Sequence, residues 1–151
     1  MSETTVRPAT ESPARPGATS KVSIVMFSGT ADKFIPLGVF TQAAAALGMQ
    51  VLVFVTGFAL RGFTKEHHDL PFPAEFAGAA PDLERGMRAA NVASWDAMLR
   101  QARQMGARVY ACSMMSEVMG LGRGDYGDLV DDVVGAATFL EEAEGGETLF
   151  I

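Results

Sequence analysis

The chain has one cysteine, Cys112, among 151 residues. A lone thiol closes no internal disulfide and builds no multi-thiolate zinc site, and it suits a reducing, cytoplasmic compartment. With no second cysteine to resolve an oxidised sulfur, any disulfide or persulfide chemistry at Cys112 must use another molecule. Basic residues are few: twelve Lys and Arg stand against eighteen Asp and Glu, a formal charge of −6. That balance argues against nucleic-acid binding, which needs a basic face to meet phosphates. No apolar run reaches the roughly 18 residues of a membrane-spanning helix. The N-terminal region has no apolar core of a secretory signal. There is no arrangement resembling a Ser/His/Asp triad, no His-Glu-x-x-His and no P-loop Lys-Ser/Thr, so neither a metal nor a cofactor is expected.

The rest of the composition is ordinary for a soluble globular protein, with 48% hydrophobic and 20% charged residues, and the length suits one domain with a real core. Residues 1–20 are rich in Ser, Thr, Pro, Ala and Glu and read as a disordered tail that cannot offset its own ordering entropy. The domain is expected over 21–151. Val22–Phe27 and Gln50–Thr56 are continuously apolar and read as buried parallel strands. Between them, Phe34, Leu37, Phe40, Ala44 and Leu47 recur at helical spacing. Pro36 falls in that helix's first turn and Gly48 ends it. The segment 57–90 is broken by glycine and proline, with short helical pieces expected over Phe58–Phe63 and Leu83–Ala90. A helix capped by Asn91 follows, with Val92, Trp95, Met98, Leu99, Ala102 and Met105 on one face and Gly106 at its end. Beyond it come a strand over Arg108–Ala111, a helix over Met114–Leu121 and a helical turn over Tyr126–Val130. A strand at Val133–Val134, a helix over Ala136–Ala143 and a strand over Thr148–Ile151 complete the chain. The alternation implies an α/β fold, a three-layer α/β/α sandwich on a mainly parallel five-stranded sheet.

Cys112 falls where a strand stops and a helix starts. There, unpaired N–H groups and the helix dipole favour thiolate, and carboxyl strand ends are where open α/β sheets place ligand sites. The competing reading is an inert, buried small hydrophobe. Met114, Met115 and Met119 cluster beside it and read first as core packing. Glu117 is expected to face solvent. His67 and His68, with Asp69, lie in the broken segment and read as solvated loop, although a histidine reaching Cys112 would form an ion pair with it. Ser28-Gly-Thr30 has the place of a phosphate-binding turn but reads as a turn leading into a helix. Gly120-Leu-Gly-Arg-Gly124 has the wrong spacing for a dinucleotide fingerprint and reads as a flexible connection.

Val109-Tyr-Ala-Cys112-Ser-Met-Met-Ser-Glu-Val-Met-Gly-Leu121 resembles the cysteine segment of the DsrE/DsrF-like superfamily, most closely its DsrE2 branch, often labelled "peroxiredoxin family". Ala43–Met49 before the second strand, Asn91-Val92, Asp128-Leu129, Val133–Ala136 and Thr148–Ile151 fit in order and spacing. Two places depart from the pattern. The branch's Cys-x-Met-Ser-Met-Asp has Met115 and Ser116 in exchanged order here, and its Phe-Trp-Gly after the second strand reads Thr56-Gly57-Phe58. The resemblance implies a flavodoxin-like domain, a homo-oligomer, and a cysteine, Cys112, that carries sulfane sulfur as a persulfide. It also implies sulfur donor and acceptor proteins as partners, either small sulfur carriers or rhodanese-like enzymes, and an activity of sulfurtransferase type. Two other functional classes remain beside this one. The first is a non-catalytic oligomeric adaptor of the same fold with an inert cysteine, and the second is a nucleotide or flavin binder using Ser28–Thr30.

Overall fold

Three apolar runs, Lys21–Met26 (β1), Gln50–Val55 (β2) and Arg108–Cys112 (β3), form the centre of a five-stranded sheet. The computed structural model describes residues 20–66 and 70–151; the tail expected over 1–20 lies outside it but for Ser20. The remaining strands are Asp132–Val134 (β4) and Glu147–Phe150 (β5). The order is β4-β3-β2-β1-β5 and every pairing is parallel. This is the expected three-layer α/β class, in a strand order distinct from the 2-1-3-4-5 of flavodoxin itself.

The order follows from crossover handedness. The chain steps one way from β1 to β2 to β3, through helices Ala31–Ala46 (α1), Ala80–Ala89 (α2) and Trp95–Gln104 (α3). After the short helix Ser113–Val118 (α4) and β4, it reverses across the sheet through Ala136–Ala143 (α5) to β5. Right-handed crossovers put helices of opposite steps on opposite faces. Accordingly, Val22, Ile24, Met26, Val51, Val53, Val55, Val109 and Ala111 pack with Phe34 and Leu37 of α1 and Leu99 and Ala102 of α3. Leu52, Phe54, Tyr110 and Cys112 face the other way, with Phe139 and Ala143 of α5.

Local signals explain most element ends. Gly48 and Gly106 take φ of +75° and +106°, the left-handed region that favours glycine at a helix end. Pro81, read as a breaker, sits in the first turn of α2, where its missing N–H costs little. Two expectations are corrected. Asn91 does not cap α3: its φ is +55° and its N–H donates to the Arg88 carbonyl, so it closes α2 instead. Asparagine tolerates the left-handed region well enough for this role. As a result α3 starts at Trp95, and Val92 lies outside it, 44% exposed. Tyr126–Val130 is not a helical turn. The turn is a 3-10 helix at Arg123–Asp125, and Tyr126 forms an antiparallel bridge with Thr64.

Candidate functional site

β3 runs up the middle of the sheet and carries Cys112 at its carboxyl end, paired in register with Val134 of β4. The strand feeds straight into α4. Cys112 is the residue before the first turn, with φ −66° and ψ 119°. Its side chain makes no capping hydrogen bond to the helix, so the expected grip of helix N–H groups on the sulfur is not formed. The residue is 5% exposed, within the layer of Leu52, Phe54, Tyr110 and Phe139, with Met115 and Val134 against it.

The polar atoms at this junction belong to its neighbours. Ser116, one helical turn on, donates its Oγ proton to the Cys112 carbonyl at 2.7 Å. The same Oγ lies 2.6 Å from the Tyr126 hydroxyl. Both residues are buried, at 2% exposure each. Burial pushes the Tyr126 hydroxyl up from its ordinary range, and the hydrogen bond with Ser116 partly offsets that rise. Neither residue was a candidate from sequence. The sequence offers Ser116 only as one half of an exchanged pair and puts Tyr126 in a helical turn.

The other candidates separate. Met115 and Met119 pack on the core as expected, whereas Met114 is 63% exposed. Glu117 faces solvent as expected. His67, His68 and Asp69 lie outside the described residues. Gly29 in the Ser28–Thr30 turn is explained by packing: a Cβ there would stand 2.7 Å from the Phe58 Cβ and 2.9 Å from the Phe58 carbonyl oxygen. Thr30 caps α1 without a side-chain hydrogen bond. Gly120 takes φ +68° and ends α4. A surface cleft of about 430 Å³ opens between α1, α2 and α3, lined by Ile35, Leu70, Phe72, Met87 and Trp95 among others, and Cys112 is not in its wall.

Tyr110 shares the face of Cys112 and donates its hydroxyl proton to Glu142 Oε2 at 2.7 Å. Burial, reinforced by that bond, pushes its pKa up to about 12 from an ordinary 10.0. The folded state therefore keeps a proton that the unfolded chain releases. Stability from this group is complete below pH 10.0 and is lost as pH rises toward about 12. The full loss is about 3 kcal/mol. Tyr126, the chain's other tyrosine, shifts in the same direction. Urea midpoints should fall across this interval, and Tyr110→Phe should flatten the fall; an unchanged slope in that variant would refute the assignment.

Among the described residues, no helix is long and apolar enough to cross a membrane. The chain resembles an uncharacterized protein, YrkE, of Bacillus subtilis (strain 168), with 30% identity over 159 residues covering 88% of this chain and 98% of that one. Its fold is similar to that of MTH1491, a protein of unknown function from Methanobacterium thermoautotrophicum. The TM-score is 0.57 at 15% identity, over 87% of this chain and 99% of that one. It is similar too to the ychN protein of E. coli, with a TM-score of 0.56 at 11% identity over 87% and 99%. The family model for DsrE/DsrF/DrsH-like proteins matches residues 73–150, from before α2 to the last residue of β5 and through the Cys112 junction. The chain belongs to the DsrE/DsrF/DrsH-like family.

Proposed function

We propose that this protein is a cytoplasmic sulfur-relay protein in which Cys112 carries sulfane sulfur. The observation that carries the reading is the position of the only cysteine: the carboxyl end of a central strand, at the start of a helix, in a DsrE/DsrF-like chain. In the loading step the Cys112 thiolate attacks the outer sulfur of a donor persulfide. The new bond joins that sulfur to Cys112 Sγ, the donor's sulfur–sulfur bond breaks, and the donor leaves as a thiolate. In the unloading step an acceptor thiolate attacks the same outer sulfur, and Cys112 leaves as thiolate. The sulfur atom moves with no net oxidation, so no second cysteine, metal or cofactor is required. The partners are a persulfide donor and a thiol acceptor of the small sulfur-carrier or rhodanese-like kind, and the working form is a homo-oligomer.

Intact mass after exposure to inorganic polysulfide tests this. The wild type should gain the mass of one sulfur atom, reversibly with a thiol reductant, and Cys112→Ser should gain none. No gain on the wild type, or equal gain on the variant, removes the proposal. A second reading is a non-catalytic oligomeric adaptor, favoured by the 5% exposure of Cys112. Under that reading a small thiol reagent labels the native protein only as fast as it unfolds.

A further inference from the structure

We infer that Ser116 and Tyr126 are positioning residues for Cys112: their buried hydroxyls form a one-directional hydrogen-bond chain that holds the Cys112 carbonyl and so fixes how the sulfur leaves the strand. The inference rests on the sulfur-relay reading of Cys112 and assigns that site its supporting groups.

The direction of the chain follows from donor counting. A carbonyl only accepts, so the single proton of Ser116 Oγ goes to the Cys112 oxygen, 2.7 Å away. The Tyr126 hydroxyl, 2.6 Å from Ser116 Oγ, is left to donate to it. The order is therefore Tyr126 O–H to Ser116 O–H to Cys112 C=O.

Tyr126 is anchored by a different part of the molecule. It bridges Thr64, the Gly127 N–H donates to the Phe63 carbonyl at 2.9 Å, and the Lys65 N–H donates to the Asp125 carbonyl at 2.8 Å. The segment around Phe63 follows β2. Tyr126 packs in the core layer of α1 and α3, whereas Cys112 packs in the layer of α5. The hydroxyl chain thus ties the end of β3 to the opposite layer.

A serine bonding back one turn along a helix is a common filler, but it needs no tyrosine. Phenylalanine would fill the volume at 126 without a hydroxyl to satisfy in a buried site. The sulfur itself is held by no helix N–H, so its direction depends on the backbone at 112. Hydrogen bonds donated into the adjacent carbonyl also draw off negative charge that would otherwise oppose a thiolate. The exchanged order Met115-Ser116 is what puts a hydroxyl four residues after Cys112.

The test measures rate against pH for iodoacetamide alkylation and for sulfur uptake from inorganic polysulfide. It uses the full chain as wild type, Tyr126→Phe, Ser116→Ala, the double variant and Ser116→Thr. With the chain of hydroxyls broken, sulfur uptake at neutral pH should fall about tenfold, the size of one lost buried hydrogen bond. The alkylation midpoint should move to higher pH. The double variant should be no worse than either single one, because both cut one chain. Ser116→Thr, which keeps the hydroxyl, should recover most of the rate. Tyr110, Glu142 and Glu117 are unchanged throughout, so a moved midpoint reports the hydroxyls. A purely structural role predicts a lower melting temperature, a wild-type midpoint and equal or faster alkylation, and that outcome overturns the inference. Wild type that is alkylated but takes no sulfur overturns the relay reading alone, leaving the midpoints to judge positioning. Wild type inert to both reagents overturns both.

Discussion

Phe34→Ala should lower the unfolding free energy by about 4 kcal/mol and the melting temperature by roughly 10 °C. Phe34 is fully buried on α1. Its ring meets Trp95 edge-on at 4.6 Å between centroids and lies 6.0 Å from Phe63, with Trp95 and Phe63 themselves 5.4 Å apart. Three elements therefore meet on one ring: α1, the start of α3 and the 3-10 helix Gly57–Phe63. Gly62 approaches so closely that a Cβ on it would stand 2.6 Å from two Phe34 ring carbons. Backbone thus forms one wall of the space that truncation would empty. Walls of that kind relax little, which keeps the loss above the lower end of the range for buried aromatics. The contrast is Phe40 on the same helix, 50% exposed, whose alanine variant should stay within about 0.5 kcal/mol of wild type. Urea unfolding with an unchanged slope reads both variants. A Phe34→Ala loss below about 1 kcal/mol would mean that the aromatic cluster repacks.

The helix carrying Phe34 was legible because its apolar residues recur at helical spacing, and β2 was legible because burial on both faces leaves it continuously apolar. Ala136–Ala143 was read to the residue. What sequence did not carry was the order of strands. Nothing local in Glu147–Phe150 says that it pairs with β1 rather than β4; that follows from the reversal of the chain across the sheet. Asn91 shows a different limit. Asparagine is favoured both before a helix and in the left-handed turn after one, so the residue type alone does not separate the two roles, and the helix on its N-terminal side decided between them.

The site divides in the same way. Cys112 was found by position, as the end of an apolar run, and it does end β3. The hydroxyls that reach its carbonyl were not found. Ser116 and Tyr126 are ten residues apart across a glycine-rich connection, and no periodicity links them. Their contact depends on the bridge from Tyr126 to Thr64, a pairing between segments 62 residues apart in the chain. The thiolate-favouring helix terminus was a sound local expectation, but the sulfur points into the α5 layer and takes no cap bond.

Asp131→Ala should cost about 3 kcal/mol, because it leaves a strand N–H without its acceptor and removes the carboxylate from a partly buried guanidinium. Asp131 Oδ2 accepts the Val109 N–H at 2.7 Å, and the Asp131 N–H donates to the Val109 carbonyl at 2.8 Å, so one residue caps both polar groups of β3 at that point. Arg103 of α3 donates to the same carboxylate and, at 2.5 Å, to the Asp128 carbonyl. Arg123 donates to the carbonyls of Val130 and Asp131 at 3.2 and 2.9 Å. The connection into β4 is therefore pinned to both α3 and β3, and β3 is the strand that delivers Cys112. The carboxylate and guanidinium are 30% and 24% exposed, so the charge part of the interaction is only partly screened by solvent and salt, and the hydrogen-bond part not at all. Asp131→Asn separates them: its amide oxygen can still accept from Val109, and the loss should be about 1 kcal/mol, shrinking further at high salt. Equal losses for the alanine and asparagine variants would assign the clamp to charge and remove the strand N–H from the explanation. The expected inequality would instead make Asp131 the point where the helix layer, the loop and the cysteine strand are joined by hydrogen bonds.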